Sequence, residues 1–220
     1  MKCIGFPLKH SSVIFQKYGL APFRAILTSE DFETASAESG CAPKRRRILV
    51  PETVFWLMVG VALETTSMTQ GLARAYGWIC SAFLWLKGPC VTEEAFCLAR
   101  QKLSLNFWRR LWNCLRTKYE RRFRSQMLWK GMRALAVDGS EVDVPNHPAL
   151  VEFFTRPSTQ KGESKTPQGR LVAVCSVFTG FCVDFVFTSR RFSEHIALKH
   201  LIRHFRENDL ILLDRGFFSL

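Results

Sequence analysis

Two aspartates stand where strands are expected to end. In "MRALAVDGSEVDVP" a short apolar stretch runs into Asp138, Gly139 and Ser140, and in "NDLILLDRGFFS" Leu210 to Leu213 run into Asp214, Arg215 and Gly216. A brief apolar run bounded by turn residues reads as a buried strand, the second of these as one buried on both faces. The glycines let the backbone turn away and leave each carboxylate exposed, at strand ends, where α/β sheets gather their chemistry. If the two strands are neighbours their acids meet, and like charges so placed repel unless a hard divalent cation sits between them. Mg²⁺ prefers oxygen ligands and keeps waters that a substrate phosphate replaces. Such a pair suits two-metal phosphoryl transfer, in which one ion generates the attacking oxygen and the other steadies the leaving oxygen. An Asp-Gly after a strand is often only a turn. The second acid, in a basic chain, is what favours the metal site.

The elements that position these acids are read from periodicity. From residue 132 the pattern is extended: a strand, a tight turn at Asp138 and Gly139, then a strand with Val142 and Val144 alternating up to Pro145. A polar loop, "FTRPSTQKGESKTPQGR", leads to two β-rich runs around Thr179 and Gly180, a hairpin signal. "SEHIALKHLIRHF" predicts a helix capped by Ser193, with Leu198, Leu201, Ile202 and Phe205 on one stripe. Upstream the signals are helical. Pro51 suits a first turn before the apolar run to Leu63, a second helix is expected around Thr69 to Tyr76, and Thr92 with Glu93 and Glu94 opens a third. "NFWRRLWNCLRTKYERRF" continues as helix with Phe107, Leu111, Leu115 and Tyr119 at four-residue spacing. The expected division is a poorly defined leader at 1–47, a helical region at 48–130 and a mixed α/β sheet at 131–220.

Charge narrows the partners. Among 220 residues, Lys and Arg number 31 against 19 Asp and Glu, a net charge of +12, which favours polyanions. The bias is local: from Arg100 to Arg133 eleven basic residues meet one acid, Glu120. That is the composition of a phosphate-tracking surface, with Arg100, Lys102, Arg109, Arg110, Arg116, Arg121 and Arg122 as its candidates. Trp108, Trp112 and Trp129 interleave with it and are expected to pack against neighbouring helices rather than stack on bases. The longest apolar run, Val54 to Leu63, is about half of the roughly 20 residues a membrane span needs, and residues 1–15 lack the apolar core of a signal peptide. A cytoplasmic protein is expected. Eight cysteines without a Cys-x-x-Cys pair read as reduced, mostly buried thiols.

"AVDGSEVDVPN", "FFTRPS", "GRLVAV", "SEHIALKHLI" and "DLILLDRGFFS", in this order, resemble the amino-terminal two-thirds of the catalytic domain of insertion-sequence-4 family transposases. "LVPETVFWLMVGVALETTSMTQGLARAY" and "ARQKLS" are similar to that family's helical amino-terminal region. The resemblance covers residues 45–220. It implies an incomplete ribonuclease H-like mixed sheet preceded by an all-α domain. It also implies a DDE triad binding two Mg²⁺ ions, with Mn²⁺ as a substitute, and double-stranded DNA partners, namely terminal inverted repeats and target, with a homodimer left open. Asp138 and Asp214 correspond to the first two acids, as metal ligands and catalytic residues. The third, a glutamate on a later helix, matches no residue here, so the chain is expected to be a truncated and inactive transposase, or a DNA-binding remnant that regulates the full-length enzyme.

Glu141, Asp143 and Glu194 are the acids available as replacements. None is expected on a helix beside both strand ends, and a helix N-terminus explains Glu194 equally well. Arg215 is placed to grip a backbone phosphate or to pair with Asp209 or Glu207. Lys44 to Arg47, Lys161 and Lys165 are further basic contacts. His195, His200 and His204 are expected on a solvated basic face rather than at a zinc site. In a sheet lacking its later helices, Val172, Val174, Val183, Phe185 and Leu212 are expected to stay exposed.

Overall fold

The computed structural model describes residues 17–43, 48–63, 67–83, 85–86, 88–159 and 162–218. The chain divides into two units, Met1–Arg122 and Phe123–Leu220. The leader before residue 17 and the basic run at 44–47, with Lys161, lie outside the described residues.

Helices build the first unit: α1 (Ala21–Arg24), α2 (Ser29–Glu38), α3 (Pro51–Leu63), α4 (Met68–Ala82), α5 (Glu93–Gln101) and α6 (Leu105–Arg122). Their starts follow from capping chemistry. Ser67 Oγ accepts the Gln70 amide at 3.4 Å and Thr92 Oγ1 accepts the Ala95 amide at 3.2 Å, each satisfying a donor that the first turn leaves without a partner. α2 opens with a reciprocal capping box between Thr28 and Asp31. α3 is apolar nearly all round because it is the core helix: Val54, Trp56 and Leu57 are buried with Phe32, Leu72, Ile79, Phe96 and Phe107. Leu20, Leu27 and Phe32 bring residues 20–32 into this same core, a contribution that no periodic pattern there signals. Trp108 packs on Phe55 at 6.1 Å between ring centroids, as expected of a packing tryptophan. Asp31 ties α2 to α6. Burial pushes its carboxyl up, but bonds from Lys118 Nζ (2.6 Å), the Thr28 amide (2.7 Å), Cys114 and the Thr28 hydroxyl outweigh that and hold it below the usual value.

α3 and α4 approach most closely at Gly60. A Cβ there would lie 2.5 Å from Ala75 Cβ and 3.3 Å from Ala75 Cα, and backbone atoms do not yield as a side-chain tip does. Gly60→Ala gains about 1 kcal/mol of helix propensity, yet overpacking of this kind costs about 1–3 kcal/mol. The clash is expected to win, so thermal unfolding should show a lower Tm; an unchanged or raised Tm would show that the helices separate freely.

The second unit is a five-stranded sheet with one helix across a face. Its strands are β1 (Leu128–Trp129), β2 (Met132–Asp143), β5 (Gln168–Ser176), β6 (Cys182–Ser189) and β7 (Asp209–Leu213); α7 (Pro148–Phe154) and a small ladder of β3 (Ser158–Thr159) with β4 (Gly162–Glu163) interrupt it, and α8 (Glu194–Leu201) precedes β7. β1 and β2 join through Lys130 and Gly131, both at positive φ (48° and 83°), the conformation that suits a two-residue hairpin. β2 pairs antiparallel with β5, β5 antiparallel with β6, and β7 parallel with β2. α8, capped by Ser193, buries Ala197 and Leu201 on Leu135, Val137, Val172, Val174 and Val183.

Several expectations need correction. There is no turn at Asp138 and Gly139: β2 runs unbroken for 12 residues, because its ladder with β5 continues through Asp138↔Ala173 and Gly139↔Val172 to Asp143↔Gln168. Asp138 is therefore a mid-strand residue, past the apolar half of its strand. β7 is only half-buried, with Leu212 41% exposed, because α8 covers one face of the sheet and on the other α7 reaches β6, through Phe154 on Phe187 at 5.1 Å. Val172, Val174 and Val183, expected to be exposed, are buried under α8, while Phe185 and Leu212 are exposed as expected. On the predicted stripe of α8 Leu201 is buried, but Ile202 is exposed in the 3₁₀ turn that ends the helix. The described cysteines are free thiols, but none is fully buried; Cys90 is exposed and the rest are half-buried.

Candidate active site

The parallel pairing of β2 and β7 decides where the two aspartates stand. Its register runs from Arg133↔Asp209 to Val137↔Leu213, and one residue further each chain carries an aspartate, Asp138 and Asp214. Both are exposed. Alternation puts them on the sheet face of Ala136 and Leu212, opposite the face that Val137 and Leu213 turn to α8. Each carboxylate bends onto a downstream amide: the next residue's for Asp138, whose Oδ1 accepts from the Gly139 amide at 2.8 Å, and the second residue's for Asp214, whose Oδ1 accepts from the Gly216 amide at 2.6 Å. β2 stays in register with β5 here, whereas after Asp214 the chain coils into a 3₁₀ turn, Arg215–Phe218. Phe217 anchors that turn in the core, and its carbonyl accepts a bond from His195 Nε2 at 3.0 Å, which fixes the turn to α8.

Glu194, the first residue of α8, is a neighbour that Gly139 in β2 and Gly216 after β7 share. A Cβ at Gly139 would lie 2.6 Å from Glu194 Oε1, and one at Gly216 would lie 3.8 Å from Glu194 Oε2 and 3.0 Å from Asp214 Oδ1. Gly139 is required less for a turn than for the space this carboxylate fills, whereas at Gly216 the tight neighbour is Asp214 itself. Arg170 Nε stands 3.8 Å from Glu194 Oε1, a second arm of Arg170 is 3.6 Å from Glu141, and Arg190 Nε is 2.6 Å from the same Glu141 oxygen. This corrects the expectation that no acid sits on a helix beside both strand ends. Glu194 does, and its sequence signal, a glutamate directly after a Ser cap, is the one that every helix N-terminus gives. The role of Arg170 has no sequence signal at all.

Among the described residues, no three His, Cys, Asp or Glu side chains converge closely enough to grip a metal ion in this conformation. The donors are carboxylate oxygens, the type a hard divalent ion prefers, while the space above Gly139 is filled by the Glu194 carboxylate. The histidines do not form a competing zinc site. His204 Nε2 is 2.5 Å from Asp184 and half-buried, and His195 is engaged with Phe217, so of the three only His200 is fully exposed.

The basic candidates fall in both units. Arg100, Lys102, Arg109, Arg110, Arg121 and Arg122 are exposed on or beside α5 and α6, and Arg116 is half-buried. Arg110 forms an ion pair with Glu38 and Lys118 one with Asp31, so the stripe is less uniformly open than the sequence suggests. In the second unit Arg215 and Lys165 are exposed; Asp209, offered as a partner for Arg215, is taken by Arg133. Trp129 is 43% exposed, with Lys130 Nζ 4.8 Å from its ring centre, so it is not the packing residue expected.

Residues 129–220 match the family model described as the transposase DDE domain. The second unit is similar to the DDE domain of transposases. Two relatives agree with that assignment. The transposase InsG for insertion sequence element IS4 of Escherichia coli (strain K12) is 28% identical over 189 residues, which is 84% of this chain and 40% of that protein. The putative transposase InsZ of the same organism is 27% identical over 92 residues, 41% of this chain and 31% of that one. The chain thus spans less than half the length of either relative, and the resemblance to insertion-sequence-4 transposases read from the motifs is borne out. Both acids of the candidate site lie inside the matched DDE segment. No described helix is long and apolar enough to cross a membrane.

Proposed function

We propose that this chain acts in the transposition of an insertion sequence: its helical unit binds double-stranded DNA at the element ends, and its second unit, an incomplete ribonuclease H-like sheet, holds divalent ions for strand cleavage and transfer. The observation that carries the proposal is the emergence of Asp138 and Asp214 from adjacent parallel strands, one residue past Val137↔Leu213, within the segment that matches the DDE family. Asp138 and Asp214 would hold Mg²⁺, or Mn²⁺ in its place. When bound, the ion supplies an activated oxygen nucleophile and stabilises charge on the leaving oxygen. The chain's own contribution is placement. The β2–β7 register sets the two carboxylates side by side, the Gly139 and Gly216 amides orient them, and Arg215, next to Asp214, is set to take a backbone phosphate. No residue of 1–220 corresponds to the family's third acid. The 220-residue chain is therefore proposed to bind DNA without cutting it efficiently.

A second reading, a non-catalytic DNA-binding chain that inhibits full-length transposase, is favoured by the first unit's separate core and basic helices. Both readings require DNA binding by phosphate contacts. The salt dependence of binding to an element-end duplex should show a slope of several units in log K against log salt, with each phosphate contact contributing about 0.9. Replacing Arg109 and Arg121 together by Ala should lower the slope by about two units. A slope near zero, or one unmoved by the double substitution, rejects the helical unit as the DNA surface.

A further inference from the structure

We propose that Cys175 and Cys182 form a redox-active dithiol, a site that takes up oxidation as an intramolecular disulfide by exchange with the disulfide of a small thiol such as glutathione. The inference starts from strand register. At the turn end of the β5–β6 ladder, past the irregularity after Val174, Cys175 and Cys182 are direct partners. Among the described residues no other two cysteines face each other across a ladder. Opposed residues of an antiparallel pair hold their Cα atoms about 4.5–5.5 Å apart, inside the roughly 4.4–6.8 Å that a disulfide spans. Closure therefore needs side-chain rotation and no slide of one strand past the other.

The surroundings suit a reactive pair. The Ser176 amide donates to the Phe181 carbonyl at 2.8 Å and the Gly180 amide to the Ser176 carbonyl at 2.9 Å, so the turn beside the cysteines holds the two chains in register. Both thiols are free and half-buried, within reach of a small oxidant. A hydrogen bond from Cys182 holds the Cys175 thiol below its usual value, against burial and the Asp138 charge, while the same bond and burial push the Cys182 thiol up. Cys175 is thus the sulfur that attacks first, although the product is the same in either order. Cys175 stands opposite Ala136, on the sheet face that Asp138 shares, so the bridge ties β5 to β6 beside the strand that carries the candidate site.

The chemistry balances in two exchanges. The Cys175 thiolate attacks one sulfur of the small disulfide, giving a mixed disulfide and a small thiolate that takes up the Cys175 proton. The Cys182 thiolate then attacks the Cys175 sulfur, the bond to the small thiol breaks, and the second small thiolate leaves with the Cys182 proton. Two protein thiols lose two electrons and one small disulfide becomes two thiols. Cys182 Sγ, 3.5 Å from the Asp184 carbonyl, exchanges that weak contact for a covalent bond.

The test equilibrates the 220-residue chain with mixtures of reduced and oxidised glutathione, blocks the remaining thiols by alkylation and maps linked peptides by mass spectrometry. The folded chain is expected to carry a Cys175–Cys182 bridge that excess reduced glutathione reverses, with an equilibrium constant about tenfold or more above that of the same chain in urea, because the ladder aligns the sulfurs beforehand. By linkage the oxidised chain should gain the same factor in its folding equilibrium, read from urea unfolding. Cys182→Ser should instead retain glutathione on Cys175; if that variant does not fold, the wild-type comparison decides alone. Absence of the bridge in the folded chain, a bridge no more favourable than in urea, or preferential pairing of either sulfur with another cysteine overturns the inference.

Discussion

Asp209→Ala is expected to destabilise the second unit by about 3–5 kcal/mol, the usual cost of leaving a buried charge without its partner. The two side chains are only 9% and 5% exposed. Arg133 donates through Nε to Asp209 Oδ1 at 3.0 Å and through a terminal nitrogen to Oδ2 at 2.6 Å, and also to the His204 carbonyl at 2.7 Å; the Arg206 amide donates to Asp209 Oδ2 at 2.8 Å. Removing the carboxylate strands both a guanidinium and an amide. The pair is the first step of the β2–β7 register, five residues before the two acids, so its loss should reach the site. Urea unfolding measures the total, and hydrogen exchange at the β2 and β7 amides shows where it falls. Replacing both partners by apolar residues, Arg133→Met with Asp209→Leu, should recover most of the loss. A single-variant loss below about 1 kcal/mol would mean that the pair behaves as a solvated surface bridge.

Incubated with Mg²⁺ and an element-end duplex, the purified 220-residue chain is expected to bind but not to nick. Each effect asked of a metal ion in phosphoryl transfer is worth several kcal/mol, and about 4 kcal/mol is already a thousandfold in rate. A site short of the family's third acid should fall by at least that factor. Efficient nicking that depends on Mg²⁺ and disappears in Asp214→Ala would reject the claim and make residues 1–220 catalytically sufficient. Nicking that survives Asp214→Ala would point to a contaminating nuclease.

What the sequence disclosed and what it hid have separate physical causes. Thr92 and Ser193 announced their helices because a cap is a local hydrogen bond between residues three apart. The hairpin was legible for a similar reason: Gly180, at φ 67°, is where β5 must reverse into β6. Asp138 was misread as a turn because Asp-Gly has a strong local preference for one, and the partner that overrides it, β5, begins some thirty residues away, so that only the ladder from Leu135↔Ser176 to Asp143↔Gln168 reveals an unbroken strand. Burial of Val172, Val174 and Val183 depends on which face α8 chooses, and an alternating strand does not say which face is covered. Glu194 is the clearest case. An acid in the first turn suits any helix start, and only the packing of its carboxylate against Gly139 marks this one out.

The parallel pairing that unites the acids joins segments about seventy residues apart in the chain, whereas β5 and β6 are joined by a short turn. Closing a long loop costs more entropy than closing a hairpin, and distant pairings form late. During synthesis β5 and β6 can zip together before β7 has been made, while Asp138 waits on an incomplete sheet. The carboxylate pair comes into being only when β7 docks, after the helices of the first unit have been made. Closure of the sheet thereby comes last, and with it the juxtaposition of Asp138 and Asp214.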